Sequence, residues 1–289
     1  MDKFGRNFRL TIAPIGVSPV IITLPFTIEF DILRRTLSGA ANVCQLRIYN
    51  LSQQNRNLLR FNLSNYGQYW PVIFEAGYGN DLGVLFKGNV SQGWSTREGV
   101  NFITQVECYD GGFAFNNGVV DLSFAEGTSE RVMITQAINQ GLPNVSVGAI
   151  GGFNDVLQGR GNSYSGNTVK FLSEITGGAF FIDNEKAYVL KSNEVVQNPG
   201  LPLVISAATG LLGTPSLEYS IARFEILFEP KLEIGRQVEI RSETESNFNG
   251  FYKTTAVQHR GMISDAVCGS VITTGEFFFD KLLVPVAGQ

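Results

Sequence analysis

Polar and apolar residues alternate along much of this chain with the period of two that half-buried β-strands require. The alternation is clearest where Cys44, Leu46 and Ile48 are interleaved with Gln45 and Arg47. A strand of this kind places one face in the core and the other in water. The pattern therefore predicts a chain built mainly of β-strands.

Residues 1–118 are expected to form a first small antiparallel β-barrel or sandwich. Ser52 is expected to cap a short helix that runs to Arg60. Glycine-rich turns divide the remaining apolar segments into strands. The predicted strands lie in residues 26–49, as a hairpin, and at residues 72–76, 84–88 and 102–109.

Residues 119–198 have a different pattern and are expected to form an α+β insertion. Apolar residues at helical spacing predict one helix over residues 129–140 and a second one capped by Asn167. Two short apolar runs flank the turn sequence of residues 183–186, which predicts a hairpin. Prolines and glycine at residues 199–202 then mark the exit from this unit.

Residues 199–289 return to strand patterns and are expected to form a second, similar β-barrel with a C-terminal tail. When this region is aligned with the first barrel at an offset of 166 residues, apolar positions match apolar positions, although few of the paired residues are identical. This agreement suggests a duplicated β-domain. The matched pairs are Val72 with Val238, Phe74 with Ile240, Phe86 with Tyr252, Lys87 with Lys253, Val90 with Ala256 and Gln92 with Gln258.

An uncharged stretch at residues 10–28 resembles a signal peptide or a membrane span. Three prolines interrupt it, at Pro14, Pro19 and Pro25, and each would cost about 3 kcal/mol inside a helix. The stretch also lacks a small-residue cleavage site. Strands joined by turns are therefore expected here, without a membrane partner; a secreted protein cleaved in this region is the alternative.

The composition is that of a folded protein without a general affinity for nucleic acid. Hydrophobic residues make up 44% of the chain and charged residues 17%, which excludes a disordered chain. The 22 basic and 26 acidic residues give a net charge of −4. Such a chain has no overall positive field that would attract a phosphate backbone.

The residues offer little for catalysis, and no catalytic, cofactor-binding or metal-ligating residue is predicted. His259 is the only histidine, and the three cysteines, Cys44, Cys108 and Cys268, lack metal-site spacing. No phosphate-binding loop or serine nucleophile motif occurs. A glycan hydrolase that uses two carboxylates, or a glycan-binding module that uses Trp70 and Trp94, stays open as an alternative. The candidate acids include Glu98, Glu107, Asp110, Asp121 and Asp155.

Consecutive large apolar residues near the C-terminus are candidates for an interface. Strand alternation cannot bury all of them on one face, so some are expected to contact another chain or a neighbouring domain. The residues are Phe277, Phe278, Phe279, Leu282, Leu283 and Val284.

Several short segments, in a fixed order, resemble the baseplate hub proteins of contractile-tailed phages, the family of the Mu-type hub and the late-control tail proteins. Each segment alone is a weak turn or strand signature, and the order is the specific part. The segments are RIYNLS at 47–52, EAGY at 75–78, FKGNV at 86–90, CYDG at 108–111, TGLLGTP at 209–215, LFEPKLEIG at 227–235 and GFYK at 250–253.

The resemblance implies a non-enzymatic structural protein of the virion that is assembled in the host cytoplasm. In such a family a homotrimeric ring carries two β-barrels per chain, so that six barrels match a sixfold tail tube while the ring also accepts a threefold central spike. Its other partners would be further baseplate proteins, and DNA would pass through the lumen without specific binding. The family supplies no catalytic residue and no cofactor.

Overall fold

The structure, a computed structural model, describes residues 3–62, 69–153, 159–267, 269–280 and 282–288. The candidate acid Asp155 and the cysteine Cys268 lie outside these residues. Strands dominate, as the sequence pattern predicts, and one large sheet runs through both ends of the chain. No helix of the described residues is long and apolar enough to cross a membrane.

The N-terminal half of the chain contributes eight strands and two short helices. These elements are β1 (Arg6–Ile12), β2 (Val20–Thr23), β3 (Ile28–Arg35), β4 (Val43–Tyr49), α1 (Gln53–Leu58), β5 (Phe61–Asn62), β6 (Trp70–Tyr78), β7 (Asp81–Glu98), β8 (Asn101–Tyr109) and α2 (Gly112–Asn117). The uncharged stretch therefore forms strands and turns, as predicted. The Ser52 side chain caps α1 by accepting a hydrogen bond from the Asn55 N–H.

One hydrophobic cluster fills the inner face of this half. Phe8, Leu10, Phe30, Phe74 and Phe86 are all buried in it, and each belongs to the apolar phase of its strand. The opposite face of the same strands carries polar side chains. The core thus explains the alternation from which the strands were predicted.

The predicted α+β insertion contains both expected helices and the expected hairpin. Ser129 and Asn167 cap the two helices through side-chain hydrogen bonds to backbone N–H groups. The elements are β9 (Val119–Phe124), α3 (Glu130–Gly141), β10 (Ser146–Ile150), β11 (Asn162–Asn167), α4 (Thr168–Ile175), β12 (Phe180–Asp183), β13 (Lys186–Val189) and β14 (Glu194–Val196). A separate hydrophobic cluster packs between these helices and strands.

The C-terminal part contributes a third cluster of buried residues and the remaining strands. These are β15 (Leu203–Ser206), β16 (Leu211–Glu218), β17 (Ile221–Leu227), β18 (Gln237–Arg241), β19 (Gly250–Ile263), β20 (Val271–Phe279) and β21 (Val284–Val286). Two short 3-10 helices interrupt them, Ala207–Thr209 and Ser246–Phe248. The last strand, β21, pairs in parallel with β14 of the same chain.

The expected pair of separate closed barrels does not appear among the described residues. The strands instead follow one open path, β16-β17-β20-β19-β3-β4-β8-β7-β6-β1-β2. The cause is the length of β19, which extends past its partner β18 and pairs its second part, residues 256–263, with β3. The two halves therefore share one continuous backbone ladder.

The strands of the two halves nevertheless pair in matching ways. Strands β6-β7-β8 and β18-β19-β20 each form an antiparallel meander around one long central strand. Both long strands carry a one-residue bulge. It lies at Ser91 in the ladder of β7 with β8 and at Thr255 in the ladder of β19 with β20. The bulges align Val90 with Thr254, whereas the sequence shift had aligned it with Ala256.

Candidate assembly surfaces

The hairpin of β12 and β13 is held against the first half by a group of polar residues. Asn184 and Glu185 both have positive φ angles, as a two-residue hairpin turn requires. Their backbone N–H groups donate to the Asp110 carboxylate, the second at 2.9 Å. The Asn184 side-chain oxygen accepts the Lys87 N–H at 2.8 Å, and the Asn42 amide donates to the Ile182 carbonyl at 3.0 Å. We call Asn42, Lys87 and Asp110 the hairpin seat.

A buried ion pair lies beside the hairpin seat. The Arg34 guanidinium donates two hydrogen bonds to the Asp183 carboxylate, at 2.8 and 2.6 Å, and its side chain is only 1% exposed. Burial raises the pKa of Asp110 to about 8, and the charge of Asp183 adds to this rise against the two backbone N–H donors. The polar contacts thus join strand β3, the residue that follows strand β8 and the hairpin.

The carboxylates considered for glycan hydrolysis have separate structural surroundings. Asp110 is buried and holds the hairpin turn, Glu98 is paired with Arg47 on the surface, and Glu107 accepts a hydrogen bond from the Gln92 side chain. Asp121 is exposed on β9. Among the described residues, no group of three or more His, Cys, Asp or Glu side chains is arranged to hold a metal ion.

His259 is fully buried where β19 crosses from the second half to the first. The Thr273 hydroxyl accepts the Glu229 N–H at 3.0 Å and forms a hydrogen bond with His259 Nδ1 at 2.9 Å. Nε2 has no partner among the described residues. Burial lowers the pKa of His259 to about 3, with a further lowering from the Arg34 charge. His259 is a packing residue.

This lowered pKa predicts a loss of stability in acid. The folded state keeps His259 neutral down to about pH 3, whereas in the unfolded chain the imidazole is protonated near its ordinary pKa of about 6.5. The folded state is therefore favoured fully above about pH 6.5, and this part of the free energy of unfolding is lost as the pH falls from 6.5 towards 3. Urea unfolding at pH 7.5 and pH 5.0 should show the wild type losing about 2 kcal/mol more than His259→Gln. An equal pH dependence in both proteins would contradict this assignment.

Among the strand edges of the large sheet that have no backbone partner within the described ranges, some lie on its long strands and at the ends of its main path. These are the outer edge of β2, the outer edge of β16 and residues 94–98 of β7, which follow the short β5 ladder at Gln92 and Gly93. Unpaired edges of this kind can receive a strand from another chain. The sequence did not reveal them, because an edge depends on which strands pair and not on the pattern of any one strand.

The polar face of the sheet forms a groove of about 1010 Å³ that crosses the junction of the two halves. Neighbouring strands place Arg260, Asp31, Gln45 and Glu107 in one row across this face. Four acidic and two basic side chains line the groove: Glu29, Asp31, Glu107 and Glu225, with Arg47 and Arg260. The face is hydrophilic and carries a small excess of negative charge.

The predicted interface residues have different degrees of exposure. Phe277 is fully buried and stacks on Phe224, with the ring centroids 4.3 Å apart. Phe278 and Leu283 are half-buried. The remaining three are exposed: Phe279 by 42%, Leu282 by 68% and Val284 by 40%.

Two further exposed aromatic residues lie at the same end of the sheet as Phe279. Tyr219 forms the β16-β17 turn and is 95% exposed, and Phe251 near the start of β19 is 47% exposed. The Phe279 N–H donates to the Ser220 carbonyl at 3.0 Å, and Phe279 pairs with Tyr252 on β19. Phe251 and Phe279 therefore point to opposite faces of the sheet.

Comparison with known protein families gives a match over most of the chain. A family model described as "Baseplate hub gp41" matches residues 15–260. No curated protein matches the sequence significantly.

Solved structures of tail proteins share the fold at low sequence identity. A 43 kDa tail protein of prophage MuSo2 from Shewanella oneidensis is 9% identical, with a TM-score of 0.59 over 93% of this chain and 96% of that chain. A tail protein from Neisseria meningitidis MC58 is 11% identical, with a TM-score of 0.59 over 98% of this chain and 99% of that chain.

A secretion-system protein shares the fold as well. It is the Escherichia coli c3393 protein, described as a component of the type VI secretion system with structural similarity to the T4 bacteriophage tail proteins gp27 and gp5. It is 10% identical, with a TM-score of 0.60 over 94% of this chain and 77% of that chain. The chain therefore shares its fold with these three proteins.

Proposed function

The chain belongs to the baseplate hub gp41 family, and on that premise we propose that it forms a homotrimeric, non-enzymatic ring in the phage tail. The ring joins a sixfold tail tube to a threefold central spike and contacts other baseplate proteins. It is assembled in the host cytoplasm and ends up in the virion. Each subunit contributes two similar β-units, residues 1–118 and 199–289, on either side of the insertion at residues 119–198.

The observation that carries this proposal is the matched pairing of the two halves. Strands β3-β4-β8-β7-β6 correspond in order to β16-β17-β20-β19-β18, and the bulges at Ser91 and Thr255 fix the alignment. Two like units in each of three subunits give six, the number that a sixfold tube requires. The open sheet of the single chain is then part of a larger closed ring.

The internal junction indicates how subunits meet. Within the chain, residues 256–263 of β19 pair with β3. The segments that correspond to these two are residues 94–98 of β7 and strand β16, and both have a free edge among the described residues. We propose that β7 of one subunit pairs with β16 of the next, which repeats the internal junction between subunits. The exposed Phe279, Leu282 and Val284 remain available for further contacts.

The groove on the polar face is suited to the lumen of such a ring. Its excess of carboxylates over guanidinium groups disfavours retention of a phosphate backbone. DNA would then pass without being held. This assignment requires the polar face of the sheet to line the inside of the assembled ring, with the buried apolar clusters on the other side of the sheet.

The mass of the purified full-length protein tests the proposal. Native mass spectrometry should give a species of three times the chain mass of 31.6 kDa, and negative-stain images should show rings with threefold symmetry. A protein that stays monomeric at high concentration would contradict it.

A further inference from the structure

The docked hairpin brings five charged side chains into one interface. Arg34, Lys87 and Asp110 come from the first half, and Asp183 and Glu185 come from the hairpin. Arg34 pairs with Asp183, and the Lys87 amine lies 2.9 Å from the Glu185 carboxylate. Among the described residues, Asp110 accepts two backbone N–H groups but has no cation of its own.

The charges at the centre of this interface are shielded from water. Arg34 and Asp110 are each 1% exposed and Asp183 is 6% exposed, whereas the Lys87 side chain is 45% exposed at the rim. One guanidinium can neutralise only one of two buried carboxylates, and a second buried negative charge is strongly unfavourable. Two carboxylates in this situation take up a proton between them.

The geometry indicates which carboxylate carries the proton. Arg34 donates two hydrogen bonds to Asp183, at 2.8 and 2.6 Å, and these charged contacts favour its ionised form. Asp110 receives only the partial charges of the Asn184 and Glu185 N–H groups. Burial raises the pKa of Asp110 to about 8 in spite of them. At neutral pH the proton therefore resides mainly on Asp110.

The other charged and titratable groups around the hairpin keep this balance. Glu233, in the loop before β18, is paired with Arg236. Burial raises the pKa of Tyr188 on β13 to about 12, so its hydroxyl stays neutral, and Lys186 is exposed to solvent. Helix α2, which follows β8, has no charged residue. None of these groups supplies the cluster with a second buried cation.

We propose that docking of the hairpin turn takes up one proton, so that the contact between the insertion and the first half is a pH-sensitive latch. When the turn leaves the hairpin seat, Asp110 meets water and releases its proton at the ordinary pKa of about 4. Between about pH 4 and pH 8, each unit of rising pH therefore makes opening about tenfold easier. Above about pH 8 the carboxylate is ionised in both states, and the dependence ends.

Hydrogen exchange of the wild type measures the opening of the turn. Mass spectrometry follows a peptide that spans residues 180–190, and intrinsic exchange rates are corrected for pH. Protection of this peptide should fall about fiftyfold between pH 6 and pH 8 and level off at higher pH. Helix α3, in the same digest, should keep its protection. An equal fall in both segments, or no fall in either, would overturn the proposal.

A neutral variant of nearly the same shape tests the assignment to Asp110. In Asp110→Asn the protection of residues 180–190 should no longer change between pH 6 and pH 8, because no proton is released on opening. The matched control Glu174→Gln removes an exposed carboxylate on α4 and should keep the wild-type pH profile. A wild-type profile in Asp110→Asn would overturn the proposal.

Infrared spectroscopy of the wild type tests the proton directly and needs no variant. With aspartate labelled at the carboxyl carbon, the band of a protonated aspartic acid should be present at pH 6 and disappear with a midpoint of about pH 8. Absence of this band at pH 6 would overturn the proposal, even if Asp110→Asn does not fold.

Discussion

Arg34→Ala should destabilise the protein by about 3–5 kcal/mol, since it leaves the Asp183 carboxylate buried without its counter-charge. The native pair makes two hydrogen bonds from a guanidinium that is 1% exposed. Loss of this pair also removes one of the contacts that hold the hairpin on the first half. Urea unfolding gives the free energy, and hydrogen exchange of residues 183–186 reports whether the hairpin opens.

Two further variants separate the ion pair from general effects of substitution. Lys170→Ala breaks an exposed pair with Glu174 and should cost about 0.5 kcal/mol or less. The double variant Arg34→Met with Asp183→Leu should recover most of the stability lost in Arg34→Ala, because no unpaired charge then remains. If Arg34→Ala costs no more than Lys170→Ala, the pair does not hold the hairpin.

The second large effect concerns ring closure. The internal junction pairs Met262 with Glu29, and the same register between subunits places Glu98 opposite Leu212 of the partner subunit. Residues directly opposite in an antiparallel ladder have Cα atoms about 4.5–5.5 Å apart, which suits a disulfide. The variant Glu98→Cys with Leu212→Cys should therefore become a covalent trimer under mild oxidation, visible on a non-reducing gel.

The matched controls test the register and not merely proximity. Each single cysteine variant should stay unlinked, and so should Glu98→Cys combined with Ser216→Cys, which lies on the same strand β16 at another position. Equal cross-linking by the on-register and off-register pairs would contradict the proposed ladder between β7 and β16. Cross-linking within monomers would contradict it as well.

Local chemistry accounts for what the sequence predicted well. The helix caps at Ser52, Ser129 and Asn167 act on N–H groups three residues away, and the hairpin turn at residues 183–186 is encoded within the turn itself. The strand phases follow from the burial of one face. The caps and the turn depend on no distant part of the chain.

Long-range pairing accounts for what the sequence did not predict. A period of two cannot distinguish registers that differ by two residues, so the apolar phase aligned Val90 with Ala256 although the bulges align it with Thr254. Nor could the sequence separate Phe277, which stacks on Phe224, from the exposed Phe279. The partner of Arg34 comes from a different unit, and no local signal marks it.

The ladder between β3 and β19 has a consequence for synthesis on the ribosome. Strand β3 is made early, but its partner at residues 256–263 emerges only when most of the chain has been translated. Until then the edge of β3 is open to wrong partners, including other nascent chains. The ladder between β3 and β19 can therefore form only after residue 263 has been synthesised, and we expect this long-range pairing to slow folding.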